Sequence, residues 1–215
     1  MQLNYINKPH FDNGAIEKIS EVLKAHGIKN PLICTDPGLS SIGMTDKLRN
    51  LLSNEVSPTF YEETPANPTE KAVNEALELY KTNNCDGVVG FGGGSSMDLG
   101  KAVALMANHE GSVVDYSINE GGLGKISKTI PMIAIPTTSG TGSEVTPYAV
   151  LSNIKKNQKG TIQQSEIFPK AAFVFPEFMI SMPKELTAST GIDAFAHALE
   201  SYMNISNSFS PNFCE

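Results

Sequence analysis

Gly87-Val88-Val89-Gly90-Phe91-Gly92-Gly93-Gly94-Ser95-Ser96-Met97-Asp98-Leu99-Gly100-Lys101 is the stretch on which the fold turns. Gly87–Phe91 is short, apolar and β-rich, as a buried strand is, and it runs into three successive glycines. Ser96 to Ala107 then suits a helix. Outward from this unit the pattern repeats in both directions. Leu32-Ile33-Cys34-Thr35, bounded by Pro31 and by Asp36-Pro37-Gly38, reads as a strand, Gly43 to Leu52 as a short helix, and Pro58 to Tyr61 as a strand. Asn67-Pro68-Thr69-Glu70 starts a helix, with Asn67 as polar cap, proline in the first turn and an acid at the positive end of the dipole. Val73, Ala76, Leu77 and Tyr80 follow at helical spacing. Met132 to Ile135 and Ala171 to Phe175 read as further strands. Alternating strands and helices imply an α/β fold, with an open, largely parallel sheet covered by helices and ligands outside the carboxyl ends of its strands. From Pro183 onward only helix is expected: a short turn at 184–186 and a longer helix at 191–203. A boundary near Met182 divides a 1–182 α/β domain from the beginning of a helical one at 183–215, which is too short to bury a core alone.

Composition narrows the class. The chain has 215 residues, 40% of them hydrophobic and 18% charged, enough apolar material for a packed core. A net charge of -7 with no basic block argues against nucleic acid, whose phosphates need clustered Lys and Arg. The apolar run Ala102–Ala107 is far shorter than the ~20 residues a membrane span needs. Met1-Gln2-Leu3-Asn4-Tyr5 shows no secretory leader, and Cys34, Cys85 and Cys214 form no C-x-x-C pair, which fits a reducing, cytoplasmic setting.

Three segments carry chemistry. The glycine turn lets backbone N–H groups approach an anion at a helix N-terminus, so it reads as a phosphate cradle. It matches neither G-x-G-x-x-G nor the G-x-x-x-x-G-K-[ST] loop, because position 95 is serine and position 102 alanine. A tight strand–helix turn without a ligand is the plainer alternative. Pro136-Thr137-Thr138-Ser139-Gly140-Thr141-Gly142-Ser143-Glu144-Val145-Thr146 follows another strand and offers hydroxyl donors to phosphate and ribose, although such a composition also suits an ordinary loop. In Gly191-Ile192-Asp193-Ala194-Phe195-Ala196-His197-Ala198-Leu199-Glu200, Asp193 and His197 share one helix face at i, i+4 and can ligate a divalent metal. On their own they equally suit a surface hydrogen bond, and two ligands leave a metal site incomplete. Ile192, Phe195 and Leu199 lie on another face, which is expected to turn to the core.

Together these motifs, with Lys101 and Met182-Pro183, resemble the iron-containing alcohol dehydrogenase family of the dehydroquinate-synthase-like fold, along almost the whole chain and in order. The resemblance implies a dinucleotide-binding domain, a helical domain, and a metal in the cleft between them. It further implies that Gly93, Gly94, Ser95 and Asp98 hold the pyrophosphate, and that Thr137, Thr138 and Thr141 line the nicotinamide side. Val150 and Lys159 would contact the nucleoside and ribose, with Asn67 also at the cofactor. Asp193 and His197 match the first two metal ligands, the other two being histidines expected beyond Glu215, so the sequence looks like the first half of a family member. The metal it implies is iron, with zinc or another divalent ion as the alternative, and the substrate it implies is a small alcohol or aldehyde. A homodimer is a family-level expectation. Asp36, at a strand end, would accept hydrogen bonds from the adenosine ribose and repel a 2′-phosphate, favouring NAD over NADP. Two other readings stay open: a synthase relative of the same fold, and a non-catalytic nucleotide-binding module.

Overall fold

The computed structural model of the protein describes residues 8–11, 14–154 and 156–203; Cys214 and the first five residues, used above, lie outside them. In chain order the elements are β1 (Lys8–Phe11), α1 (Ile19–Ala25), β2 (Pro31–Cys34), α2 (Pro37–Ser41), α3 (Met44–Leu51), β3 (Thr59–Tyr61), α4 (Glu70–Thr82), β4 (Gly87–Gly92), α5 (Gly94–Met106), β5 (Met132–Pro136), β6 (Tyr148–Asn153), β7 (Gln158–Gln163), β8 (Ala171–Val174) and α6 (Lys184–Met203). Six strands form one sheet in the order β1-β8-β5-β4-β2-β3, every neighbouring pair parallel.

Strand periodicity builds two cores from one sheet. Leu32, Val88 and Ala134 point to one face, where α4 and α5 cover them. Ile33, Val89 and Ile133 point to the other, against α1 and α3. Being covered on both faces is why these strands read as continuous apolar runs. Phe91 is fully buried and meets Phe178 edge-on, ring centroids 5.2 Å apart. Each such side chain contributes roughly 1.5–3 kcal/mol of burial.

The topology also fixes where a ligand fits. From β2 the chain runs out to β3 at the sheet edge, then returns past β2 to β4 and continues to β5. That reversal between β2 and β4 opens a crevice beyond their carboxyl ends. Asp36 leaves β2 at this point, and Gly92 to Gly94 leave β4 beside it. The antiparallel pair β6–β7 stands outside the main sheet and packs through β6 against α5.

Several sequence expectations change. The α4 cap is Thr69, whose Oγ1 accepts from the Ala72 amide at 3.3 Å, rather than Asn67. Proline at 68 keeps residue 67 out of the helix, leaving Asn67 exposed. Helix α5 begins at Gly94, so of the three glycines Gly92 closes β4, Gly93 caps the helix and Gly94 opens its first turn. The turn at 184–186 and the helix at 191–203 are one helix of 20 residues, because Gly191 is tolerated inside it. Ile192, Phe195 and Leu199 do not face this core: they are 68%, 63% and 44% exposed. The only buried residue of α6 is Thr190, whose backbone lies so close to Gly140 that a Cβ there would sit 2.3 Å from the Thr190 carbonyl oxygen. Strand β1, helix α1 and the β6–β7 pair had no counterpart in the sequence reading.

Candidate functional site

Close approach explains the glycines. Gly92 has φ +148°, which residues with side chains rarely adopt, and a Cβ there would lie 2.5 Å from Ser96 Oγ. Gly93 is the N-cap of α5 with no side-chain cap, so the first-turn amides remain available to an external acceptor. Ser95 Oγ donates to the Ala66 carbonyl and ties this turn to the loop before α4. Across from it, a Cβ on Gly94 would meet Thr141 Cγ2 at 2.9 Å.

Two clefts meet at this helix end. One, of about 770 Å³, is lined by Asp36, Thr64, Thr137 and Thr138. The other, of about 830 Å³, is lined by Asn67, Asp98, Val150, Lys159, Asp193 and His197. Gly94, Ser95 and Thr141 line both, so the α5 N-terminus forms their common wall. The residues fit a dinucleotide: a helix N-terminus with free amides sits midway, and the buried Thr64 and Thr138 hydroxyls have no hydrogen-bond partner within the described residues. Asp36 caps α2 through Oδ1, which accepts from the Leu39 amide at 3.1 Å. Thr137 is buried and its amide donates to the Gly92 carbonyl at 2.9 Å, locking the two turns together. Thr137 and Thr138 share a cleft with Asp36, and Val150 and Lys159 share one with Asp193 and His197.

Asp193 and His197 converge on the larger cleft, Oδ1 to Nε2 3.8 Å. They are one carboxylate and one imidazole, a donor pair suited to a divalent ion. No group of three or more His, Cys, Asp or Glu side chains able to hold a metal occurs among the described residues, so this pair is an incomplete donor set.

Sequence reasoning did not anticipate the role of Lys101. It is fully buried, and its Nζ donates to Ser143 Oγ at 2.8 Å and to the Thr146 and Tyr148 carbonyls at 3.0 and 2.6 Å. Asp98, 4.0 Å from that ammonium, is equally engaged: Oδ1 accepts from Ser143 Oγ and Oδ2 from the Val150 amide. Burial lowers Lys101 to about 8, against the attraction of Asp98 and Glu144. Burial also raises Asp98, against Lys101 and its two donors, and raises Glu144. A signal was available: a lysine three residues after Asp98, entering the apolar run Ala102–Met106, has no path to solvent along its own helix.

Comparison with known proteins agrees with this geometry. The family model described as iron-containing alcohol dehydrogenase matches residues 7–176. The 4-hydroxybutyrate dehydrogenase of Cupriavidus necator is 38% identical over 200 residues, covering 93% of this chain and 52% of that protein. A choline dehydrogenase of Bacillus subtilis is 41% identical over 190 residues, covering 88% and 47%. Among solved structures, a sulfoacetaldehyde reductase from Bifidobacterium kashiwanohense in complex with NAD+ superposes with TM-score 0.84 at 35% identity, covering 94% of this chain and 54% of that one. A 1,3-propanediol oxidoreductase superposes with TM-score 0.89 at 32% identity, covering 99% and 55%. The chain thus spans about half the length of the relatives it matches. Among the described residues no helix is long and apolar enough to cross a membrane. From the parallel sheet, the glycine-capped α5 and these matches together, the chain belongs to the iron-containing alcohol dehydrogenase family.

Proposed function

We propose that the protein to which this chain belongs is an NAD-dependent alcohol dehydrogenase or aldehyde reductase that moves hydride between a small alcohol and nicotinamide. The supporting observation is the pair of adjoining clefts that share the α5 N-terminus, one lined by Asp36 and the other by Asp193 and His197. In this reading adenosine lies against Asp36, Thr137 and Thr138, with the pyrophosphate at the first-turn amides of Gly94, Ser95 and Ser96. The nicotinamide half runs past Thr141 and Val150 toward α6. Lys159 at this end offers a donor to the ribose. Asp98, whose oxygens are already engaged, shapes the wall behind the phosphates rather than receiving them. Asp193 and His197 are the donors this chain gives to a divalent metal. When bound, nicotinamide would supply the hydride acceptor and a divalent metal the Lewis acid, so the side chains of this chain bind and orient rather than react. Residues 1–182 act as the dinucleotide domain, and α6, starting at Lys184, opens a helical domain that closes over the substrate.

Turnover of a panel of small alcohols with NAD+, and of the matching aldehydes with NADH, tests this reading in the whole protein; nucleotide binding without turnover of any member would favour a non-catalytic module. Cofactor choice gives a sharper test. The Asp36 carboxylate accepts from ribose hydroxyls and repels a 2′-phosphate. NADH is therefore expected to bind at least about tenfold more tightly than NADPH, roughly 1.4 kcal/mol. Asp36→Gly is expected to narrow that ratio, and Asp36→Ser to narrow it while retaining an acceptor for the Leu39 amide. Equal or tighter NADPH binding by the unmutated protein contradicts the assignment.

A further inference from the structure

Lys101 lies behind the larger cleft, wholly buried inside α5. An ammonium has three N–H donors and no acceptor, and three acceptors surround this one: Ser143 Oγ, the Thr146 carbonyl and the Tyr148 carbonyl. Ser143 Oγ in turn donates to Asp98 at 2.7 Å, and Asp98 accepts the Val150 amide at 3.0 Å. Every contact joins α5 to one stretch of chain, residues 143–150. That stretch lines the cleft, through Ser143, Thr146, Tyr148 and Val150, beside Asp193 and His197. The smaller cleft is lined by none of these four residues.

We infer that Lys101 is a positioning residue for the nicotinamide half of the cofactor: it touches no ligand, but holds the 143–150 wall at the distance that half requires. The inference rests on the dinucleotide reading above and adds a division of labour within it. The adenosine half depends on β2, α2 and the turn after β5, and the nicotinamide half depends on a segment that Lys101 and Asp98 fasten to α5. The charged groups facing Lys101 are Asp98 of its own helix and Glu144 of the turn 143–145, while β6 presents the Tyr148 carbonyl. A neutral amine has only two N–H donors for the three acceptors, so deprotonation releases one of them. Burial brings that event to about pH 8, well below the 10.5 of a free lysine. In that window the unfolded chain holds the proton more tightly than the folded one, so this group adds to global stability as pH rises from about 8 toward 10.5. The positioning role weakens over the same range, and the two effects have opposite signs.

The experiment compares NADH, which reaches both clefts, with ADP, which fills only the Asp36 side, by fluorescence and calorimetric titration. Lys101→Met is expected to weaken NADH binding about tenfold, the equivalent of roughly 1.4 kcal/mol, while ADP affinity stays within about twofold. Lys101→Gln, which keeps two donors without the charge, is the milder variant should the methionine form not fold, and is expected to fall between. In the unmutated protein the NADH-to-ADP affinity ratio should decline above pH 8 without a fall in melting temperature, and in Lys101→Met it should be flat. Equal losses for both nucleotides, or no loss for either, would overturn the positioning role while leaving the dinucleotide reading intact. An unmutated chain that binds neither nucleotide would overturn both.

Discussion

Gly94→Val is expected to lower NADH affinity by at least about a hundredfold, roughly 2.7 kcal/mol, with the far-UV spectrum of the unmutated protein retained. Gly94 is the first residue of α5 and lines both clefts. Its Cα faces Thr141, and a Cβ would already stand 2.9 Å from Thr141 Cγ2 and 3.2 Å from Thr141 Cβ. Two further methyl groups have nowhere to go except into the groove, where the backbone must come within hydrogen-bond reach of a phosphate. Valine is no worse than glycine in intrinsic helix propensity, so the cost to folding is confined to the shift of Thr141. An affinity unchanged by this substitution would mean that the three glycines serve only the turn between β4 and α5.

The second large effect concerns the metal. Asp193 and His197 present one oxygen and one nitrogen on the same face of α6, 3.8 Å apart and part-exposed. A tight divalent site takes four or more protein donors, or three and a water, and the described residues contain no group of three. The 215-residue chain is therefore expected to retain less than one-tenth of an ion per chain after dialysis, roughly what two exposed donors hold against water. It is also expected to show no alcohol oxidation with added Fe²⁺ or Zn²⁺. In the whole protein, His197→Ala should abolish turnover and metal retention together while leaving ADP affinity within about twofold, since ADP stays on the Asp36 side of Gly94. Metal analysis by plasma emission and an NADH-linked assay check both parts. One tightly held ion per 215-residue chain would show that donors arise within the chain or from a second copy.

The parallel sheet was largely legible in the sequence because parallel strands buried on both faces write themselves as unbroken apolar runs. Val88-Val89-Gly90-Phe91 and Met132-Ile133-Ala134-Ile135 needed no alternation to be read, and both are strands. Strand β1 carries Lys8 and Pro9 and takes its place only by pairing with β8, which no local pattern reports. The β6–β7 pair is polar along much of Gln158–Gln163, and it is held on α5 by the burial of only Ala149, Leu151 and Ile162 together with the bonds from Asp98 and Lys101. Helix α6 was readable as a helix but not as a surface. Its apolar spacing suggested a core-facing stripe, yet the face that meets this chain is the one carrying Thr190 and Asp193, while Phe195 and Ile192 point away. Periodicity finds a stripe without saying what covers it.

The candidate site was legible residue by residue rather than as a groove. Glycines, threonines and the Asp–His pair stood out by type and spacing, but their grouping into two clefts follows from strand order. The crossover between β2 and β4 brings Asp36 beside Gly93, and the β5 turn brings Thr138 to the same side. Lys101 was the chief omission. Its importance lies in three acceptors more than forty residues away along the chain, and no window on the sequence contains them.

In the proposed function one dinucleotide spans both clefts across the α5 N-terminus. Competition titration tests it most directly, with NADH fluorescence as the signal and ADP and nicotinamide mononucleotide as competitors. ADP and nicotinamide mononucleotide are each expected to displace NADH at a stoichiometry of one per chain, while the two together bind without excluding one another. Failure of ADP to displace bound NADH, or mutual exclusion of the two half-molecules at a single place, would contradict it.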